Sequence, residues 1–297
     1  MSTITRNTCP VCSTVNISKQ LSAEDYTVSH QQFEIWQCAV CSIRFTQGAP
    51  DAASVADFYQ SENYISHTDT EKGIINKLYH FVRRTTLRRK LRLIEQTTGI
   101  QKGNLLDIGA GTGAFAATMQ QAGWTVNGLE PDAGTRQRAA DLYALHLQDT
   151  AALFALPAAG FDAITMWHVL EHVHELHSYI AQIKLLLKQN GRALIAVPNY
   201  TSKDADVYRQ YWAAYDVPRH LYHFSPASIK NLLQQHGLQL LDIKPMWFDS
   251  FYIAMLSEQY KNGKGNLVKA VWHGMLSNIA ALFNKERCSS VIYIIGK

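Results

Sequence analysis

The sequence predicts an α/β fold built on a mostly parallel sheet and preceded by a small four-cysteine metal module. Three observations carry that prediction. Two CxxC pairs, Cys9 with Cys12 and Cys38 with Cys41, lie near the start. From residue 104 onward, short apolar strand patterns alternate with helical ones, as in a sheet covered on both faces. The first of these strands, Leu105 to Ile108, runs directly into the glycine turn GAGTGA.

Composition narrows the class. With 297 residues, 47% hydrophobic and 18% charged, the chain can bury one large core beside a small appendage, which excludes disordered and collagen-like readings. A net charge of +4 is thin evidence for a nucleic-acid partner. The opening MSTITRNTCP lacks the pattern of a secretory leader, and no apolar run is long enough to span a membrane, so a cytoplasmic protein is expected. Thiols stay reduced there, and the cysteines read as ligands.

Residues 1–46 form the module. Each CxxC aims two thiolates at one ion, and the 25 residues between the pairs allow a hairpin to bring them together. Four thiolates suit a tetrahedral, closed and therefore structural Zn2+ site at Cys9, Cys12, Cys38 and Cys41. FEIWQCAVC reads as a strand entering the second knuckle, as in a zinc ribbon. Residues 47–73 read as a linker, with a turn at QGAP, a short helix in DAASVADFYQ and an irregular SENYISHTD. A long helix follows, with Ile74, Ile75, Leu78, Phe81, Val82, Leu87, Leu91 and Ile94 at helical spacing. Its basic run RRTTLRRKLR, residues 83–92, reads as a solvated face before it reads as a phosphate site.

In the larger part, glycines 109, 111 and 113 let the backbone approach a ligand, and Glu130 ends the second strand, where a carboxylate can accept ribose hydroxyls. Asp107 would repel a pyrophosphate, which argues against a dinucleotide and for a ligand with a cationic amino-acid portion. Further strands are expected at 161–167, 191–199, 238–246 and 289–297. Gly191 is expected to stop the helix before the second of these. The stretch MWHVLEHVHE, 166–175, permits a metal site, a general base or only a helix start. His168, Glu171 and His172 share a helix face if the helix begins at 168, yet two imidazoles and a carboxylate do not complete a site. The stretch is read as a strand end followed by a helix start.

LLDIGAGTG at 105–113, GLEPD at 128–132, FDAITMWHVLEHV at 161–173 and GRALIAVPN at 191–199 together resemble class I S-adenosylmethionine-dependent methyltransferases over residues 74–297. WHVLEHV followed by YDVPRHLYHFS at 215–225 resembles the group that includes ubiquinone-biosynthesis O-methyltransferases. The resemblance implies a Rossmann-like fold of seven strands with an antiparallel last strand, and S-adenosylmethionine as cofactor. By position, it implies that Asp107, Gly109, Ala110, Gly111 and Gly113 frame the methionine portion and that Glu130 holds the ribose diol. It further implies Pro131 or Asp132 beside the adenine, Asp149 (or Gln148) at its amine, and Trp167 at the methyl-transfer end. A segment at 200–225 is expected to act as a lid. His168, His220 and His223 are the candidate bases, with Tyr215 and Arg219 beside the acceptor. The expected acceptor is a small molecule, hydrophobic or sugar-linked, methylated on a hydroxyl oxygen; the alternatives are a nucleotide-linked sugar carbon, or RNA or protein. Residues 249–286 form a helical insert that packs on the core, walls the acceptor site or forms a homodimer contact.

Overall fold

The computed structural model describes residues 2–59 and 74–297, the side chains of 74–81 aside. The expected irregular SENYISHTD, 61–69, the last residue of the expected short helix, Gln60, and the apolar positions Ile74, Ile75, Leu78 and Phe81 lie outside the described residues and side chains. The N-terminal part contains β1 (Thr3–Ile4), β2 (Ile17–Glu24), β3 (Gln32–Cys38), β4 (Arg44–Gln47) and β5 (Ala49–Pro50). Phe33, Ile35 and Cys38 in β3 are buried, and the strand pairs antiparallel with β2 and β4. A short 3-10 helix, Val55–Tyr59, precedes the undescribed stretch.

The larger part begins with α1 (Ile74–Thr98) and β6 (Asn104–Ile108), then α2 (Ala114–Gln121), β7 (Thr125–Leu129), α3 (Ala133–Tyr143), β8 (Phe161–Trp167) and α4 (Leu176–Leu186). It continues with β9 (Leu187–Pro198), α5 (Lys203–Tyr208), β10 (Tyr222–His223), α6 (Pro226–Gln235), β11 (Gln239–Pro245), α7 (Asp249–Asn262), α8 (Leu267–Phe283) and β12 (Ser290–Gly296). The main sheet has the order β11-β12-β9-β8-β6-β7. β7, β6, β8 and β9 run parallel, while β12 is antiparallel to both of its neighbours, as expected of the last strand. The seventh position, outside β7, is a single parallel bridge between Leu129 and Gln148. Leu105, Leu106, Ile108, Ile164, Ile195 and Tyr293 are among the buried side chains of this sheet. Among the described residues, no helix is long and apolar enough to cross a membrane.

Two local expectations are corrected. Gly191 does not stop a helix: α4 ends at Leu186, and Gly191 sits inside β9. A Cβ there would lie 2.9 Å from the Phe161 carbonyl oxygen, so the missing side chain lets β9 pass close to β8 at an irregularity in their pairing. The stretch after Trp167 does not begin a helix either. His168 has φ 57 and turns the chain off the sheet while its N–H bonds the Ala196 carbonyl, and α4 starts only at Leu176. The turn is tied down by the Leu221 and Tyr222 N–H groups, both of which donate to the Glu171 carbonyl.

β10 pairs with β4, so the cysteine-bearing sheet, β10-β4-β3-β2, takes one edge from the segment at 200–225. The insert is a helical pair. α8 turns its small residues, Ala270, Gly274, Ser277 and Ala281, inward, and a Cβ at Gly274 would meet the Phe251 ring at 2.6 Å. Its large apolar residues Leu267, Val268, Trp272, Leu282 and Phe283 are exposed.

Candidate cofactor cleft and its histidine flank

The glycine loop is fastened to the neighbouring strand. Gly109 and Ala110 both donate to the Leu129 carbonyl, at 2.8 and 2.9 Å. Gly109 has φ +73, and a Cβ there would lie 2.3 Å from Val169, so no larger residue fits between β6 and the turn after β8. Gly111, at φ +54, has open space around it, and Gly113, at φ +79, stands at the N-cap of α2. Glu130 is fixed by two backbone donors, Gly111 N at 2.9 Å and Asp132 N at 3.2 Å. Asp132 caps α3 through Thr135 N. Pro131 O accepts from Arg136, which also meets Asp149 Oδ2 at 3.1 Å, while the other Asp149 oxygen caps Ala151 N. Gln148 is held by its backbone to Gly128 and Glu130. The loop, Glu130 and Asp149 therefore line the C-terminal ends of β6 and β7.

Asp107 is 1% exposed, and Thr165 Oγ1 donates to its Oδ1 at 2.6 Å. Burial pushes its carboxyl up to about 7 against the Thr165 hydrogen bond and the nearby Lys90. Lys90 is itself lowered to about 8 by burial, with Asp107 and Asp249 opposing. Its ammonium lies 4.0 Å from the centre of the Trp167 ring, which packs edge-on against Phe115. Among the described residues, the buried Trp167 indole N–H has no hydrogen-bond partner.

His168, next in the chain, is gripped from two sides. Its Nε2 lies 2.9 Å from Asp249 Oδ2 and its Nδ1 3.5 Å from Glu171 Oε1. Burial lowers the affinity of the ring for its second proton, but the hydrogen bonds and charges of Asp249 and Glu171 outweigh it and lift His168 to about 10. With both nitrogens facing carboxylates, the ring holds two protons near neutral pH and has no lone pair to offer as a base.

The other residues expected to be catalytic turn toward the N-terminal strands. Tyr215 OH accepts from Arg44 Nη1 at 2.8 Å, and His223 Nε2 lies 3.1 Å from Thr46 Oγ1. Arg219, 1% exposed, pairs with Asp216 and with the fully buried Asp25. His220 stands against His172, with ring centres 4.6 Å apart. The structure thus groups His168 with Trp167 and leaves Tyr215, Arg219 and His223 in the contact between segment 200–225 and the module.

The four cysteines converge as the spacing predicts. Their ligand atoms lie within 4.8 Å of one another, with Cys9 Sγ 3.4 Å from Cys41 Sγ and Cys12 Sγ 3.5 Å from Cys38 Sγ. Val11 and Cys12 N–H groups donate to Cys9 Sγ, and those of Val40 and Cys41 to Cys38 Sγ. Such donors stabilise thiolates, and the donor set fits a tetrahedral dication.

Sequence reasoning missed Lys90, Thr165 and Asp249. Lys90 carried a signal, because it shares the helical stripe of Leu87, Leu91 and Ile94 and so points inward from a run read as solvated. Asp249 carried none.

Residues 78–243 match the profile of a family described as methyltransferase domain. A ubiquinone biosynthesis O-methyltransferase of Rickettsia typhi is 25% identical over 202 residues, covering 62% of this chain and 80% of that protein. Its counterpart in Xanthomonas axonopodis pv. citri is 29% identical over 160 residues, covering 49% and 66%. The chain spans slightly under two thirds of the length of this second relative. A solved SAM-dependent methyltransferase from Archaeoglobus fulgidus superposes with a TM-score of 0.50 at 18% identity, covering 72% of this chain and 94% of that one, which shows the shared fold.

Proposed function

Because the chain belongs to the methyltransferase-domain family and its glycine loop, Glu130 and Trp167 sit at the C-terminal ends of three neighbouring parallel strands, we propose that it transfers a methyl group from S-adenosylmethionine to a hydroxyl of a small molecule. The observation that carries the reading is Asp107, a buried carboxylate at the end of β6 beside a glycine loop with free space. A cationic methionine portion satisfies that carboxylate, whereas a pyrophosphate does not. The cofactor supplies an electrophilic methyl group on a sulfonium. In this reading Asp107 holds the ammonium end, Glu130 accepts from the ribose hydroxyls, and the free Trp167 N–H serves an acceptor atom of the bound cofactor.

His168 then acts as a fixed imidazolium that charges and positions the methyl-transfer edge. The carboxylates on both of its nitrogens favour that role over the base role. The segment 200–225 closes the acceptor side, and the four cysteines hold a structural zinc that braces it through β4 and β10. The names of the relatives favour a phenolic hydroxyl on a hydrophobic quinone precursor.

The reading is tested with S-adenosylmethionine labelled in its methyl group and three acceptors: a prenylated catechol, a nucleotide-linked sugar and RNA. Label in the catechol is expected. Label only in the sugar or RNA would reject the acceptor class, and no cofactor binding by the folded, zinc-loaded protein would reject the activity itself.

A further inference from the structure

α8 packs on the chain through its small residues and leaves the opposite face uncovered. Eight large apolar side chains of that face are between 42% and 88% exposed. Together they show roughly 900 Å2 of apolar surface, where the largest patch on a typical monomer is ~300–600 Å2 and each partner in a standard interface contributes ~800 Å2. A patch of that size on a helix with a well-packed inner face calls for an occupant.

The stripe has a period and a centre. Val268, Met275 and Leu282 follow one another at seven residues, with Val271 and Ile279 between them, which is the seam spacing of paired helices. Counted from Met275, the stripe is apolar alike in both directions: Val271 and Ile279 stand four residues away, Val268 and Leu282 seven, Leu267 and Phe283 eight. A second α8 laid antiparallel across Met275 therefore sets apolar side chains against apolar side chains along the whole helix. The charges beyond its ends match as well. Lys264 lies eleven residues before Met275 and Glu286 eleven after it, both exposed, so the antiparallel pair brings each Lys264 toward Glu286 of the partner subunit.

We propose that α8 is the two-fold interface of a homodimer, packed antiparallel on α8 of a second copy about Met275. A lipid surface fits less well. Helices that lie on membranes are rich in lysine and arginine on their polar face, whereas α8 carries Lys269 as its one lysine and no arginine, and its small-residue face is packed inside. The contact also bears on the cleft. Gly274, next to Met275, is pressed against Phe251, two residues from Asp249, so pairing of the helices braces the end of α7 that holds His168. The interface rests on the stripe, its symmetry and its end charges, and it does not depend on the activity or the acceptor proposed above.

Sedimentation equilibrium of the full, zinc-supplied chain reads the state directly, and two chains per particle are expected. Met275→Lys places two like charges at the two-fold axis and should raise the dimer dissociation constant about a hundredfold or more, with the circular dichroism of wild type. Met275→Cys should be joined copy to copy by a short bismaleimide well above the wild-type level, and it decides the matter if the lysine variant does not fold. The proposal is overturned if the wild-type chain sediments singly up to about 100 μM, a concentration at which even weak specific dimers form. It is overturned equally if Met275→Lys dimerises as tightly as wild type, or if a dimer forms in which Met275→Cys does not cross-link, the copies then meeting elsewhere. Flotation of single wild-type chains with phosphatidylglycerol vesicles, lost in Met275→Lys, would give the stripe to lipid instead.

Discussion

Nε2 of His168 lies 2.9 Å from Oδ2 of Asp249, which joins the left-handed turn after β8 to the first residue of α7. The pair closes one flank of the cleft, and its charge state follows from its geometry. Asp249→Asn should let the His168 resonances titrate well below about 10 in NMR and should cost about 1–2 kcal/mol, a charged hydrogen bond discounted for partial exposure. The pH dependence has a definite sign. A raised histidine gives its stabilisation fully below its ordinary value and loses it as pH rises through about 10; Asp249, held below the usual carboxylate range, loses its share only in stronger acid than an ordinary aspartate. A wild-type pH–rate profile showing a limb from free His168 near its ordinary value would contradict this.

Cofactor affinity should follow Asp107. The free carboxyl is pushed up to about 7, and a bound cation favours its ionised form, so binding should weaken as pH falls through that value and release a proton below it. Calorimetry in buffers of different ionisation enthalpy reads this directly. Asp107→Asn should weaken binding about ten- to hundredfold and flatten the pH dependence. In the free protein the sign reverses: the raised carboxyl favours the fold while protonated, so its contribution declines as pH climbs from the ordinary carboxylate range to about 7.

Arg219 stands between two carboxylates, and Asp25, fully buried, also accepts from Ser29 N and Thr27 Oγ1. Burial opposes its charge, but the Ser29 backbone and Arg219 outweigh burial and hold Asp25 at about 2. Arg219→Met should cost about 3–5 kcal/mol in denaturant unfolding by leaving these carboxylates unpaired. With Arg219 present, the Asp25 contribution is full above the ordinary aspartate value and lost as pH falls through about 2.

Disrupting the four-cysteine cluster proposed to hold zinc should be felt in the segment at 200–225. Thr46 bonds His223 and the His220 carbonyl, and Arg44 bonds Tyr215, all from β4 beside the second knuckle. Cys38→Ser should raise amide exchange at Tyr222 and His223, where β10 pairs with β4, and leave exchange in β6 and β8 near wild type. Equal loosening of all four strands would contradict this.

The parts of the cleft that were legible in the sequence are local. Asp107 and glycines 109 to 113 are consecutive in one turn, and Glu130 ends the next strand, so chain order gives their arrangement. The histidines were less legible because their roles come from distant partners. His168 looked like one face of a helix until the left-handed turn sent its ring to Asp249. Arg219 and Tyr215 looked like acceptor contacts, yet their partners Asp25 and Arg44 lie in the N-terminal strands, and no spacing rule links such positions.

The β4–β10 pairing also has a timetable. Thr46 and His223 are 177 positions apart, so at about 5–20 residues per second β4 waits on the order of 9–35 s on the ribosome for the strand that completes its sheet. Until then Arg44–Gln47 presents an open edge, a template for pairing with a neighbouring nascent chain. If the four cysteines hold zinc as proposed, early capture of the metal would fix that edge in register before its partner is synthesised, and metal supply during translation would then bear on yield.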